Sequence, residues 1–316
     1  MNYKQLFQHR SFYILLAFFV TILWSSSWLL IKFGLEKENL PPLTFAGIRY
    51  VLAATILVLV VLCSSKNRSA IRNLHLNWWG KLAGYGIIFF TLTQGAQYLG
   101  LLYLPAITVS LLLSFTPIIT MILGIFLIKE RPNALQLFFI LLALAGTLVY
   151  FIPLMDINYS TTTLIGLLVV GFGVVTNSVS AIFGRRINKS QTVSPLIVTA
   201  ISMLIGSIVL LITGLIIEGI PTISITAIVY ILLLSIVNTA IAFTLWNKAM
   251  QKLRALEITI INNTMLIQIT FLAVIFLGER PKPLEWVGLV ILGISALLVQ
   301  ILRTKPKKEE VMNVNN

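Results

Sequence analysis

No charged side chain falls between Lys81 and Lys129. Drawn as one helix at ~1.5 Å per residue, that interval would reach about 70 Å, more than twice the ~30 Å hydrocarbon layer of a bilayer. It has to fold back. Leu104-Pro105 is the natural turn, because proline ends one helix and fits the first turn of the next. The interval therefore predicts two membrane spans joined tightly.

The rest of the chain has the same character. Hydrophobic residues make up 58% and charged residues 10% of the 316, and the mean hydropathy is +0.97. A soluble domain carries about 25% charged residues, so this chain cannot clothe a water-facing surface and its solvent is lipid. Apolar runs of spanning length fall near 12–33, 41–63, 82–103, 105–128, 134–152, 162–184, 194–217, 224–247, 255–277 and 284–302. The first is too long for a signal peptide and lacks an A-x-A-like cleavage site, so it is read as a span. The reading is an all-α integral membrane protein with ten transmembrane helices.

The net charge of +13 is a topology signal rather than a nucleic-acid footprint, since the cations sit in short gaps between apolar runs. With the N-terminus inside and the spans alternating, all 23 Lys and Arg residues except Lys32, Lys37, Arg49, Arg280 and Lys282 fall on the inner side. That bias places both termini in the cytoplasm, with the chain multi-pass in a cell membrane, a bacterial plasma membrane. The single cysteine, Cys63, allows neither an internal disulfide nor a cysteine-based metal site.

Glu-Arg-Pro occurs twice at the end of an apolar run, as Glu130-Arg131-Pro132 and Glu279-Arg280-Pro281. Proline disfavours helix in the residue before it, and the glutamate lies near the positive end of the next helix, so each motif reads as a sharp reversal. Aligning the two places LPAITVS (104–110) on LRALEIT (253–259). Five spans separate them. Five is odd, so the two reversals lie on opposite faces and the halves are inverted repeats, a plan common among secondary transporters. The polar DINYSTTT at 156–163 divides them into units 1–155 and 156–303, with a cytoplasmic tail at 304–316.

Three stretches, LWSSSWLLIKFG…PPLTFAGIRYVLAA, AQYLGLLYLPAITVSLLLSFTPIITMILGIFLIKERP and NSVSAIFGRR…SPLIVTA, resemble EamA-type transporters of the drug/metabolite transporter superfamily. The resemblance implies two inverted five-helix EamA repeats that move small metabolites, often amino acids or related compounds and often outward. One departure has a structural consequence. The position matching Pro117 in the second repeat is Leu266, which predicts a ninth helix without the kink of the fourth.

Polar residues inside spans should face the bundle or a water-filled path. Trp24, Ser27 and Trp28 share one face of the first span; Gln94, Gln97 and Tyr98 share one of the third, where paired carboxamides offer both donors and acceptors. Ser114 and Pro117 lie in the fourth, Asn177 and Ser180 in the sixth, Asn238 and Trp246 in the eighth, and adjacent Asn262 and Asn263 in the ninth, where only one can fully face a path. Each could instead be interhelical glue. Trp24, Gln94, Gln97, Tyr98 and Asn177 are expected to line one central cavity. Arg49, deep in the second span, and Pro117, in the fourth, read as gating or structural residues, and Glu257, at the start of the ninth, as an N-terminal cap or a proton-coupling group.

The only histidines, His9 and His75, lie outside the spans, and no H-E-x-x-H, G-x-S-x-G or G-x-x-x-x-G-K-[ST] occurs. An enzyme, a cofactor and ATP-driven pumping are not expected, and the partners are a small-molecule substrate and the lipid bilayer, not nucleic acid. Phosphorylated ligands need Lys or Arg clamps, so the scarcity of buried cations favours a neutral, zwitterionic or aromatic metabolite. A transporter of phosphorylated metabolites and a non-transporting scaffold or receptor are the alternatives. GKLAG at 80–84 straddles a charged helix end, so the oligomeric state stays open.

Overall fold

The computed structural model describes residues 10–104, 106–127, 134–154, 161–276 and 282–301. Both Glu-Arg-Pro motifs, Pro105, the linker through 160 and the 304–316 tail lie outside the described residues. Among those described the regular structure is all helical, without strands. The helices are α1 (Arg10–Glu36), α2 (Pro42–Cys63), α3 (Ser65–Arg72), α4 (Leu76–Gly86), α5 (Gln94–Tyr103), α6 (Ala106–Leu113), α7 (Thr116–Leu127), α8 (Ala134–Phe151), α9 (Thr161–Lys189), α10 (Pro195–Glu218), α11 (Ile225–Ser235), α12 (Ala242–Met250), α13 (Ala255–Asn263), α14 (Met265–Phe276) and α15 (Pro283–Ile301).

Among the described residues, six helical stretches are long and apolar enough to cross a membrane: Arg10–Leu35, Pro42–Cys63, Thr161–Lys189, Pro195–Glu218, Ile225–Met250 and Glu257–Phe276. Two shorter apolar helices, Thr116–Phe126 and Leu137–Tyr150, accompany them. Leu15, Phe126, Leu168 and Ile216 are among many large apolar side chains left exposed, an arrangement that water would penalise and acyl chains accept.

Helix ends follow local chemistry. Ser194 caps α10 by accepting from Ile197 N at 3.4 Å, and Ser224 caps α11 by accepting from Ala227 N at 3.0 Å. Gly219, at φ +83°, ends α10 in a conformation other residues resist. The carboxylate of Glu218 then accepts from the first free amides of α2, Leu43 N at 3.0 Å and Thr44 N at 2.8 Å. One helix end thus supplies the cap that another lacks.

That cap begins a close interface, since α10 packs along α2 and α15 along α8. A Cβ on Gly47 would fall 2.5 Å from Leu211 Cα, and one on Gly214 would fall 2.6 Å from Thr44 N. Only glycine lets these backbones approach so closely, the usual basis of helix association in lipid. The long first helix of each half crosses to the other half: α1 lies against α12, α13 and α14, and α9 against α5, α6 and α7.

The alignment that sets Pro132 on Pro281 also sets Leu76 on Ile225 and Ile87 on Ile236. Both stretches change there from α-helix to a wider π-helix, Ile87–Thr93 in the first half and Ile236–Ile241 in the second. A threonine hydroxyl donates to the carbonyl five residues back in each: Thr93 to Ile88 O at 2.9 Å, Thr239 to Leu234 O at 2.7 Å.

The expected absence of a kink at Leu266 is corrected by the structure. Helix breaks occur at matching places, between α6 and α7 and between α13 and α14. Phe115 N bonds Leu112 O and Ile118 N bonds Phe115 O, both at 3.1 Å; Thr264 N bonds Ile261 O and Ile267 N bonds Thr264 O, again both at 3.1 Å. In the first half Pro117 withholds the N–H that Leu113 O would accept, and Thr116 Oγ1 donates to it instead, at 2.5 Å. In the second half Thr264 Oγ1 donates to Ile261 O at 2.6 Å, a local bond that competes with helix continuation. A threonine does there what the proline does here.

Candidate functional site

A cavity opens where the π-segments, the helix breaks and the two crossing helices meet. It is lined from both halves, and its volume is about 100 Å³. That is several times the ~10–15 Å³ one water needs, enough for a molecule of several heavy atoms.

Aromatic rings line much of the cavity. The Trp24 ring lies 4.7 Å from Trp246 and 4.8 Å from Phe243, and Phe243 also meets Phe89 at 5.4 Å and Tyr50 at 6.0 Å. Tilted and edge contacts of this kind suit ring quadrupoles and hold the rings rigid. Side-chain amides share the lining with these rings. Gln94 Oε1 accepts from Tyr50 OH at 2.6 Å, which fixes that amide. Gln97 is half-buried, lines the cavity, and its carboxamide has no hydrogen-bond partner among the described residues.

Arg49 belongs to the same lining. It is 2% exposed yet lines the cavity. Its Nε donates to Thr239 Oγ1 at 2.7 Å, Nη1 to Tyr98 OH at 2.9 Å, and Nη2 to Asn238 O at 3.4 Å. The guanidinium carbon stands 5.1 Å from the centre of the Tyr50 ring. These bonds tie α2 to α5 and to the second π-segment. An arginine at mid-span costs about 2.5–3.5 kcal/mol on insertion scales, a cost the three neutral partners reduce.

The expected residues distribute unevenly. Trp24, Ser27, Trp28, Gln94, Gln97, Tyr98, Ser114, Asn177, Ser180, Trp246 and Asn262 all line this cavity. The two serine hydroxyls turn back to their own helices, Ser27 Oγ donating to Trp24 O at 2.6 Å and Ser180 Oγ to Asn177 O at 2.7 Å. They contribute small size more than donors. Asn177 Nδ2 donates to Thr116 Oγ1 at 3.3 Å, fastening α9 to the break before α7.

Three candidates lie elsewhere. Asn238 does not line the cavity; its Nδ2 donates to Leu23 O and to Ser26 Oγ, the latter at 2.9 Å, so it holds α1 to the second π-segment. Pro117 is buried behind the lining at the helix break. Glu257 sits at the start of α13, where it pairs with Arg10 and accepts from Arg254 N at 2.9 Å. An acid in that position caps its own helix and ties it to α1. Asn263, left open beside Asn262, also lines the cavity, and its Nδ2 donates to Ser114 O at 2.7 Å, joining one helix break to the other.

Composition left no trace of Tyr50, Tyr85, Phe89, Phe243 and Thr259 as lining residues. Aromatic side chains look alike whether they face lipid or a cavity. The repeat offered a signal, since it aligns Phe243 with Gln94 and Trp246 with Gln97, both singled out on the first-half helix.

Comparison with known proteins gives a consistent result. The EamA-like transporter family matches residues 11–152 and again residues 164–301. A probable amino-acid metabolite efflux pump of Escherichia coli (strain K12) is 25% identical over 305 residues, covering 93% of this chain and 96% of that protein. Its namesake in Salmonella typhimurium (strain LT2) is 26% identical over 88% of this chain and 91% of its own. An uncharacterized transporter of Bacillus subtilis (strain 168), YvbV, is 27% identical over 99% and 98% respectively. A crystal structure of a protein 19% identical to this one superposes with a TM-score of 0.76, covering 94% of this chain and all of its own, a likeness of fold.

Proposed function

The chain belongs to the EamA-like transporter family, and we propose that it is a secondary transporter that carries a small neutral, zwitterionic or aromatic metabolite, an amino acid or related compound, out of the cell. The observation that carries this reading is the cavity shared by both halves and lined by aromatic rings together with side-chain amides. Rings bury an apolar remainder and amides orient polar ends, the usual division of labour in a small-molecule site. The names of the Escherichia and Salmonella relatives support the solute class and the outward direction.

In this reading the helices make ten crossings as two inverted repeats, 1–155 and 156–303, with both termini in the cytoplasm of the cell that bears it. Alternating access comes from rocking one repeat against the other around the cavity. Pro117 serves the framework that moves, and Arg49 ties α2 to α5 and to the second π-segment within the cavity lining. Glu257, paired with Arg10 at a bundle end, holds α13 to α1, and any proton coupling would pass through that pair.

Counterflow tests the proposal. Purified protein in liposomes preloaded with an unlabelled amino acid should accumulate the same amino acid in labelled form, for at least one of the twenty. Accumulation equal to empty liposomes across the whole set would leave a scaffold or receptor as the better reading.

A further inference from the structure

We propose that Arg49 anchors the carboxylate of the solute, so that the cavity selects an organic monocarboxylate with an apolar or aromatic remainder; this rests on the transport reading above. Among the described residues Arg49 is the one charged side chain lining the cavity. No carboxylate among them lies within 4.0 Å of it. Its three hydrogen-bond partners, Thr239, Tyr98 and Asn238, are neutral. The positive charge is therefore held in place without being compensated.

A guanidinium has five N–H donors. Those partners take one on Nε and one on each terminal nitrogen, which leaves one N–H on Nη1 and one on Nη2. That pair grips a carboxylate end-on through two parallel bonds. Thr239 and Tyr98 fix the fork before the solute arrives, so little freedom remains to be lost on binding. Next to the fork stands Tyr50, 5.1 Å from the guanidinium carbon, and the ring contacts continue from it through Phe243 to Trp24. A carboxylate at Arg49 directs the rest of the solute along those rings.

The same count argues against a phosphate ester. A phosphate dianion needs clamps from more than one cation, and no lysine and no second arginine lines the cavity among the described residues. One fork and one charge match one carboxylate.

The test uses full-length protein in proteoliposomes. Labelled L-phenylalanine, L-leucine and L-threonine serve first as probes, then the remaining amino acids. For every amino acid that shows counterflow, the unlabelled parent and its α-carboxamide compete for uptake. The parent should compete about tenfold or more better than its amide, the scale of a charge-assisted bidentate contact. In Arg49→Met that ratio should fall to near one, and in Arg49→Lys, which keeps the charge but not the fork, it should fall between. The ratio reports recognition, so a purely structural loss of activity would not move it, and Arg49→Lys keeps the test alive if Arg49→Met does not fold. An amide that competes as well as its parent in the wild-type protein overturns the anchor and leaves transport standing. Absence of counterflow for every amino acid overturns both.

Discussion

Helices α5 and α12 hold the same place in the two repeats, and they differ in chemistry while agreeing in backbone. Each follows a π-segment, and each reaches the cavity along one face. A π-turn inserts an extra residue into the helical register and often marks a functional site; here both repeats keep it. Yet α5 presents Gln94 and Gln97 where the repeat alignment puts Phe243 and Trp246 on the second-half helix. Duplication preserved the frame, and the side chains diverged within it. A cavity with amides on one helix and rings on its counterpart can orient a solute that is itself lopsided. A symmetric cavity could not.

The largest effect should come from the amides. Gln97 lines the cavity with a carboxamide that has no partner among the described residues, and the Oδ1 of the lining Asn262 is likewise without one, so hydrogen-bonding capacity is available to a solute. Gln97→Leu removes donor and acceptor together and should abolish counterflow while expression and melting temperature stay at wild-type levels. Wild-type flux in that variant would mean the amides are scenery. Among the rings the loss should be graded. Trp246→Leu forfeits the contact with Trp24, and an aromatic pair is worth ~0.5–1.5 kcal/mol, so the half-saturation concentration should rise about two- to tenfold at a nearly unchanged maximal rate. Equal and total loss from both variants would erase the distinction between the two helices.

Much of this was legible before any coordinates. The charge-free interval, the span pattern and the repeated motif follow from the cost of unpaired polar groups in lipid, which acts on sequence directly. The first- and third-span candidates, Trp24 and Gln94 to Tyr98, could be placed because helical spacing alone sets them on one face. Three things resisted. Arg49 could be seen as buried, but its partners Thr239 and Asn238 lie far along the chain and in the other repeat, so only the folded bundle names them. Asn238 and Asn177 carry the same side chain in comparable apolar runs; one faces the cavity and the other locks α1, a difference set by neighbours rather than by local pattern. The break at Thr264 was missed because proline is the familiar cause of a kink, and a threonine bond to its own helix produces the same turn quietly.

That break supplies the finest test of equivalence between the repeats. Asn263 Nδ2 donates to Ser114 O, so the interrupted stretch of the second half is bonded to the interrupted stretch of the first. Two origins for this arrangement are conceivable. Either the bond imposes the paired breaks, or each break is made locally, by Pro117 with Thr116 on one side and by Thr264 on the other, and the bond merely joins them. The local bonds are short and complete, which favours the second. Asn263→Leu should then lower stability only by ~0.6 kcal/mol, the average for an interhelical hydrogen bond in a membrane bundle, seen as a small drop in the detergent melting midpoint. A loss several times larger would show that the repeats depend on each other for their shape, since a bond worth that much would have to be holding a helix out of its preferred course.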